Sequence, residues 1–297
     1  VLKVFAPAKV NLHLHITGRR ADGYHNLDSL VAFADIGDVL FFERARNFSF
    51  SVDGQFAGSF MGAELDTSPQ SKNLVVKAAW AISNLLAREL NVAITLQKNL
   101  PLGSGLGGGS ADAAACLWGL CQYWGLSLPT THLASLASQL GSDVPVCLNM
   151  ETVVMRGTGD QLSAAPSFPE LPVLLVWPGR PVATKDVFTT LGLKTFSKDA
   201  VLPDAFETVP ALCDYLKSET TNDLAARAGE ILPAIKTALN EISIRPGCGL
   251  ARLSGSGSTC FGIFNSPDQC QSAAETLAAQ NPGWWIRTGW LNRVSRY

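Results

Sequence analysis

Apolar and polar positions alternate near the start of the chain. Val10, Leu12, Leu14 and Ile16 are apolar, and Lys9, Asn11, His13 and His15 fall between them. That is the period of a β-strand with one apolar and one polar face. The four polar side chains share a face, and for His13 and His15 the pattern predicts a solvated one. Leu27 to Phe33 reads as a strand, Asp35 to Asp38 as a turn, and Val39 to Glu43 as another strand. Phe48, Phe50 and Val52 alternate with serines in a further strand closed by Asp53-Gly54. Residues 54–70 are irregular and Gly-rich. From Asn73 to Leu90 the period becomes helical: Leu74, Ala78, Ala81, Ile82, Leu85 and Leu86 form one stripe, with Lys72, Lys77 and Arg88 outside it. Asn91 to Gln97 reads as a strand.

The next stretch, Pro101 to Trp124, organises the chain. Five residues from Gly103 to Gly109 are glycine, and an Ala-rich, apolar-faced segment follows at once. Ser110 is placed as its N-cap, with the helix starting at Ala111. Glycine lets the backbone adopt conformations closed to other residues and lets a ligand approach. A helix N-terminus adds unpaired N–H groups and partial positive charge. Together they predict an anion site suited to phosphates; the alternative is a flexible turn before a helix. It is not a Walker A loop, because Gly109 and Ser110 follow Gly108 where Lys-Ser/Thr is required. Gly103, Gly105 and Gly108 satisfy G-x-G-x-x-G formally. The dinucleotide reading fails, because residues 98–102 separate the loop from its strand and no acid occurs between Asp112 and Asp143.

A second helix is predicted from His132 to Leu140, opened by Pro129-Thr130-Thr131 and closed by Gly141 at C′. Asp143 then lies between a helix end and Pro145, a rigid placement for a carboxylate; a turn-capping Asp is the other reading. Strands are expected at Val146 to Leu148 and Thr152 to Met155. The Pro- and Ser-rich run at 163–172 marks a boundary between domains at 1–163 and 164–297. Beyond it the pattern gives a strand at Val173 to Trp177 and helices near 185–192, 207–218 and 222–240. Strands follow at Gly249 to Leu253 and Thr259 to Phe264, then a helix from Pro267 to Gln280 and a last strand near Trp284 to Thr288. Mixed strands and helices make the class α+β. Ser254-Gly255-Ser256-Gly257-Ser258 is either a plain hairpin loop or a second lining of the phosphate site.

Composition narrows the function. At 297 residues, two domains are expected. A net charge of −2 gives no reason to expect nucleic acid or an anionic membrane as a partner. Seven cysteines without a C-x-x-C pair read as buried, reduced thiols of a cytoplasmic protein. No signal-peptide core and no long apolar run predicts secretion or a membrane span. Thr17 to Asn26 is a loop that delivers Tyr24 and His25, a ring to stack on and a donor/acceptor beside it. The pair suits a heterocycle; an ordinary surface pair is the alternative.

Three runs in this order resemble the superfamily of galactokinase, homoserine kinase, mevalonate kinase and phosphomevalonate kinase: Pro7-Ala8-Lys9-Val10-Asn11, the loop from Pro101 to Ser110, and Ser254 to Ser258. Ile16 to His25 and Gly141-Ser142-Asp143-Val144-Pro145 resemble the branch whose acceptor is a cytidine diphosphate-linked methylerythritol, in the non-mevalonate isoprenoid pathway. The likeness covers essentially the full chain, and the Arg-Ala-Asp-Gly-Tyr-His run is its most specific part. It implies a two-domain small-molecule kinase fold with an ATP and substrate cleft between the domains, and ATP and Mg²⁺ as cofactors. It implies that Asp143 is the general base and that Lys9 stabilises charge on the acceptor oxygen and the transferring phosphate. Pro101, Leu102, Gly103, Ser104, Gly105, Leu106, Gly107, Gly108, Gly109, Ser110 and Ala111 would cradle the ATP phosphates, with Ser110 near Mg²⁺. Asn11 joins the substrate set, Tyr24 would stack on cytosine, and His25 would bond its edge. Phe188 would close the other face, with Thr184 assisting. Asn73 and Lys98 stand where the family contacts the nucleotide. Ser104 and Ser142 replace a common Gly and Ala, both by small residues. Another kinase of the superfamily, or a nucleotide-binding relative without catalysis, are the rival readings.

Overall fold

Strand β1 runs Leu2–Asn11 and is followed after a short break by β2, His15–Arg19. The computed structural model, which describes residues 1–192 and 195–294, buries both faces of this region. His13 is fully buried and His15 nearly so. The expected solvated face is therefore wrong, for a reason that lies outside the strand: Asp28 and backbone groups supply the hydrogen bonds that water would otherwise give.

The turn expected at Asp35–Asp38 is absent, and β3 runs unbroken from His25 to Arg44. Gly37 is needed there for close approach, because a Cβ would collide with the Ala6 carbonyl oxygen. Asp38 is fully buried and accepts hydrogen bonds from distant residues instead of capping a turn. Two compact units result. The first holds Val1–Ala8, Gly37–Leu102 and Gly107–Asn149, and the second Lys9–Ile36, Gly103–Leu106 and the chain from Met150 onward.

In the first unit the end of β3 pairs antiparallel with β5, Val92–Gln97, which pairs in parallel with β4, Ser49–Asp53. Helix α1 is Leu74–Leu86, capped by the Asn73 side chain on the Val75 N–H. Helix α2, Gly108–Tyr123, packs on α1 and on the short α4, Val144–Asn149. Helix α3 is Thr130–Leu140. The strand expected at Val146–Leu148 is thus a helix. Its apolar run is too short to tell the two apart by period.

In the second unit β6, Val153–Gly157, pairs with the start of β3 and with β7, Gln161–Ala164. A further antiparallel set is ordered β11–β8–β10–β9. Its strands are Trp285–Leu291, Leu171–Trp177, Cys260–Phe264 and Cys248–Leu253. Helix α5 is Thr184–Thr189 and α6 is Val209–Glu219. The helix expected over 222–240 is two, α7 at Ala225–Ile231 and α8 at Ala234–Ser243, divided at Pro233. Helix α9, Pro267–Gln280, matches its expected span and is capped by Ser266. Leu14, Ile16, Leu174, Val176, Leu253 and Phe264 belong to this unit's core. The fold is mixed α+β, as the pattern implied. None of the seven cysteines is in a disulfide, and six are buried. Among the described residues no helix is long and apolar enough to cross a membrane.

Candidate active site

The glycine loop turns directly into α2. Gly107 takes the left-handed conformation at φ 64° and is itself the N-cap, so the helix starts at Gly108 and Ser110 lies inside the first turn. This corrects the expected N-cap at Ser110: glycine at 107 lets the chain enter the helix earlier than a side-chain cap would. The first helical bond runs from the Ala111 N–H to the Gly107 carbonyl at 2.9 Å. The N–H groups of Gly108, Gly109 and Ser110 precede it and have no intrahelical acceptor. No side chain caps this end. A 16-residue helix with an uncapped, glycine-built N-terminus is suited to an anion.

Pro101 and Leu102 enter the loop from the first unit, and Gly107 to Ala111 leave it there. Residues 103–106 belong to the second unit. In that unit the Leu106 carbonyl accepts from the Lys9 N–H at 2.8 Å, and the Ser104 carbonyl accepts from the Thr259 N–H at 2.8 Å. A Cβ on Gly105 would overlap the Ser254 carbonyl oxygen, so only glycine fits this approach.

The serine run is no plain hairpin loop. Ser254 Oγ donates to the Gly105 carbonyl at 3.0 Å and accepts from the Asn11 N–H at 3.3 Å. Ser256 Oγ lies 2.8 Å from Thr184 Oγ1, and Ser258 Oγ donates to the Arg180 carbonyl. Each serine fixes a different segment. Asn11 is almost fully buried; its Nδ2 donates to Ser29 Oγ at 2.8 Å, while its Oδ1 has no partner among the described residues. A buried orphan acceptor is costly unless a ligand donor completes it.

Tyr24 is 67% exposed. Asp22 shapes its loop by accepting from the Tyr24 N–H at 3.1 Å and from Arg20 Nε at 3.0 Å. Those bonds hold the Asp22 carboxyl below the usual range. The His25 and Phe188 rings lie 5.3 Å apart between centroids, tilted by 33°. Burial, with Arg19 nearby, pushes the His25 imidazole below its ordinary value. The ring is therefore neutral at pH 7, with one donor and one acceptor nitrogen. Thr184, at the start of α5, joins this group through Ser256.

Lys9 is buried in β1. Asp143 is half-buried just ahead of α4, and its carbonyl accepts from the Cys147 N–H at 3.2 Å. Asn73 is committed to α1: Oδ1 accepts from Val75, and Nδ2 donates to the Glu64 carbonyl at 3.1 Å. Lys98 is deeply buried. Its Nζ lies 2.5 Å from Asp38 Oδ2 and 2.6 Å from Asp112 Oδ2. Burial alone would push the ammonium down, but Asp112 and Asp38 outweigh it and hold it above the lysine range. Sequence reasoning missed both carboxylates. The available signal was an acid inside the buried first turns of an Ala-rich helix, and an acid in mid-strand.

His13, His15 and Asp28 lie close enough together to suggest a metal centre. Their lone pairs are already used. His13 Nε2 meets Asp28 Oδ2 at 3.0 Å, and Nδ1 accepts from the Leu30 N–H at 3.4 Å. His15 Nδ1 donates to the Lys198 carbonyl at 2.8 Å, and Nε2 accepts from the Thr221 N–H at 3.1 Å. Asp28 also takes Arg156 and the Ala200 N–H. The cluster is a structural network.

The family pattern "GHMP kinases N terminal domain" matches residues 73–150, and "GHMP kinases C terminal" matches residues 206–283. The chain is 42% identical over 295 residues to a 4-diphosphocytidyl-2-C-methyl-D-erythritol kinase of Granulibacter bethesdensis, covering 98% of this chain and 95% of that protein. It is 44% identical over 286 residues to the enzyme of that name from Brucella melitensis, covering 94% and 92%. The crystal structure of a 4-(cytidine 5'-diphospho)-2C-methyl-D-erythritol kinase superposes with a TM-score of 0.79 at 30% identity, covering 99% of this chain and all of that one.

Proposed function

We infer the chemistry from one premise: the chain belongs to the 4-diphosphocytidyl-2-C-methyl-D-erythritol kinases, within the GHMP kinases. It uses ATP to phosphorylate the 2-hydroxyl of 4-diphosphocytidyl-2-C-methyl-D-erythritol, a step of the non-mevalonate route to isoprenoid precursors. The observation that carries this is 42% identity across 98% of the chain to a curated enzyme of that activity.

The roles of individual residues are our proposal. Phosphoryl transfer asks a protein mainly for positioning and charge neutralisation. Residues 101–111 hold the ATP phosphates, supported by the uncapped N-terminus of α2. Asp143 takes the proton of the 2-hydroxyl as its oxygen attacks the γ-phosphorus. Lys9 neutralises charge gathering on the acceptor oxygen and the transferring phosphoryl group. The orphan Oδ1 of Asn11 accepts from a substrate donor. Tyr24 and Phe188 offer faces to cytosine, and the neutral His25 bonds its edge. Thr184 steadies the same group from α5. Asn73 and Lys98 serve the nucleotide through the elements they hold.

Mg²⁺ belongs to this proposal as well. The ion binds substrate phosphates with few protein ligands, so the Ser110 hydroxyl in the first turn of α2 suits an ion that arrives on ATP. When bound, it supplies further neutralisation of phosphate charge. A functional division near residue 163 and a cytoplasmic location complete the reading; the matched stretches lie on either side of that residue, and the buried free thiols suit a reducing compartment.

A coupled ADP-release assay tests it, with ATP, Mg²⁺ and 4-diphosphocytidyl-2-C-methyl-D-erythritol against mevalonate, homoserine and galactose. Turnover with the cytidyl substrate alone is expected. Turnover with a control instead would keep the fold and remove the roles given to Tyr24 and His25.

A further inference from the structure

Both stems of the glycine loop meet one buried cluster. On the entering side, Asp38 Oδ1 accepts from the Asn99 N–H at 2.6 Å and the Leu100 N–H at 2.8 Å, just ahead of Pro101. On the leaving side, Asp112 projects from α2 one residue after Ala111. Lys98 Nζ joins the two carboxylates, at 2.5 Å and 2.6 Å. Lys98 is itself pinned: its N–H donates to the Asp53 carbonyl at 2.7 Å, and its carbonyl accepts from the Phe56 N–H at 3.0 Å. A Cβ on Gly108 would come within 3.1 Å of Lys98 Nζ and 3.5 Å of Asp38 Oδ2, so the loop backbone rests on the cluster.

Three buried ionisable groups are an expensive way to hold an ordinary helix in place. Desolvation cancels much of the attraction, and well-packed apolar side chains often do as well. Asp112 Oδ1 is moreover left buried without a partner. What a charged cluster supplies and an apolar one lacks is a fixed geometry between specific atoms. We propose that Asp38, Lys98 and Asp112 form a clasp that sets the separation of the two stems of the glycine loop, so that all three are positioning residues for the ATP phosphates. The clasp rests on the reading of residues 101–111 as the phosphate site. It touches no reacting atom and acts through the N–H groups at the start of α2.

The test compares Asp112→Ala, which removes one arm, with Asp112→Asn, which keeps an oxygen for Lys98 to donate to. For each, binding of a non-hydrolysable ATP analogue and of cytidine diphosphate is measured at a temperature well below unfolding, with the KM for both substrates. Asp112→Ala is expected to weaken the analogue roughly tenfold and raise the KM for ATP in step, while cytidine diphosphate binding stays within about twofold. Asp112→Asn is expected to bind both like the wild type. Unchanged analogue binding in Asp112→Ala, or equal loss of both ligands, overturns the clasp. Asp112→Leu fills the volume and is read the same way if the alanine variant does not fold; failure of both to fold also counts against a role separable from folding. If the wild type itself does not bind the analogue, the phosphate-loop reading falls instead.

Discussion

Two side chains carry the proposed chemistry, and each has a direct test. Asp143→Asn keeps size and removes the base; Lys9→Ala removes the positive charge. Each is expected to abolish turnover while ATP affinity stays within about tenfold, because the glycine loop proposed to hold the phosphates is untouched. Wild-type-like activity in either variant removes that residue from the mechanism. His25 gives a pH test. Its pKa is pushed below the ordinary histidine value by burial and by Arg19, so protonation sets in below about pH 6.5. The protonated ring loses its acceptor nitrogen. The KM for the cytidyl substrate is therefore expected to rise at acid pH while the KM for ATP holds steady, and His25→Ala should raise that KM without the pH dependence. Most of these residues were legible because their chemistry and spacing are local: Lys9 after Pro7-Ala8, Tyr24-His25 after Ala21-Asp22-Gly23, and the glycines themselves. Asp38 and Asp112 were not, because their shared partner Lys98 lies 60 residues from one and 14 from the other, beyond the reach of any local period.

Elements were legible where period and punctuation agreed. Helix α9 carries Ser266 and Pro267 at its start and was expected over its observed span. Strand β3 was missed as one element because Asp35, Gly37 and Asp38 resemble a turn; the glycine instead admits β1, and Asp38 holds the loop stem. Helix α2 shows the same use of glycine inside an element. A Cβ on Gly119 would overlap the Phe42 ring, so the helix packs on the sheet only because that position is bare. Gly119→Ala should gain helix propensity yet lose about 1–3 kcal/mol through overpacking. Chemical denaturation measures the net effect, and a stabilised variant would show that Phe42 has room to move. The N–H groups proposed to hold the ATP phosphates lie at the other end of α2, so the same variant should also weaken ATP binding.

At the scale of the whole molecule, β1 and β3 each contribute residues to both compact units, an interleaving that no local period reports. Within the second unit the buried histidines secure a distant segment. Ile16 O accepts from the Ser197 N–H at 3.0 Å, His15 donates to the Lys198 carbonyl, and Asp28 accepts from the Ala200 N–H at 2.9 Å. This network gives stability a definite pH dependence. His13 faces Asp28, His15 and Arg252, and Arg156 lies on the far oxygen of Asp28. Burial lowers the His13 pKa, and the attraction of Asp28 does not make up the difference. The unfolded chain then binds a proton near pH 6.5 that the folded chain refuses until the pH is lower, so stability must fall as pH drops through that window. For Asp28, burial favours the neutral acid, but the bonds from His13 and Ala200 outweigh it and hold its pKa below the ordinary carboxylate value. Its stabilisation is complete above about pH 4 and is lost as pH falls through the folded value. His13 and Asp28 therefore each contribute a loss of melting temperature toward acid pH, the upper step from His13 and the lower from Asp28. His13→Gln can still donate an amide N–H to Asp28 but takes up no proton, so it should flatten the upper step and leave the lower one. A variant whose melting temperature falls as steeply as the wild type between pH 7 and the carboxylate range would place the upper step on another group.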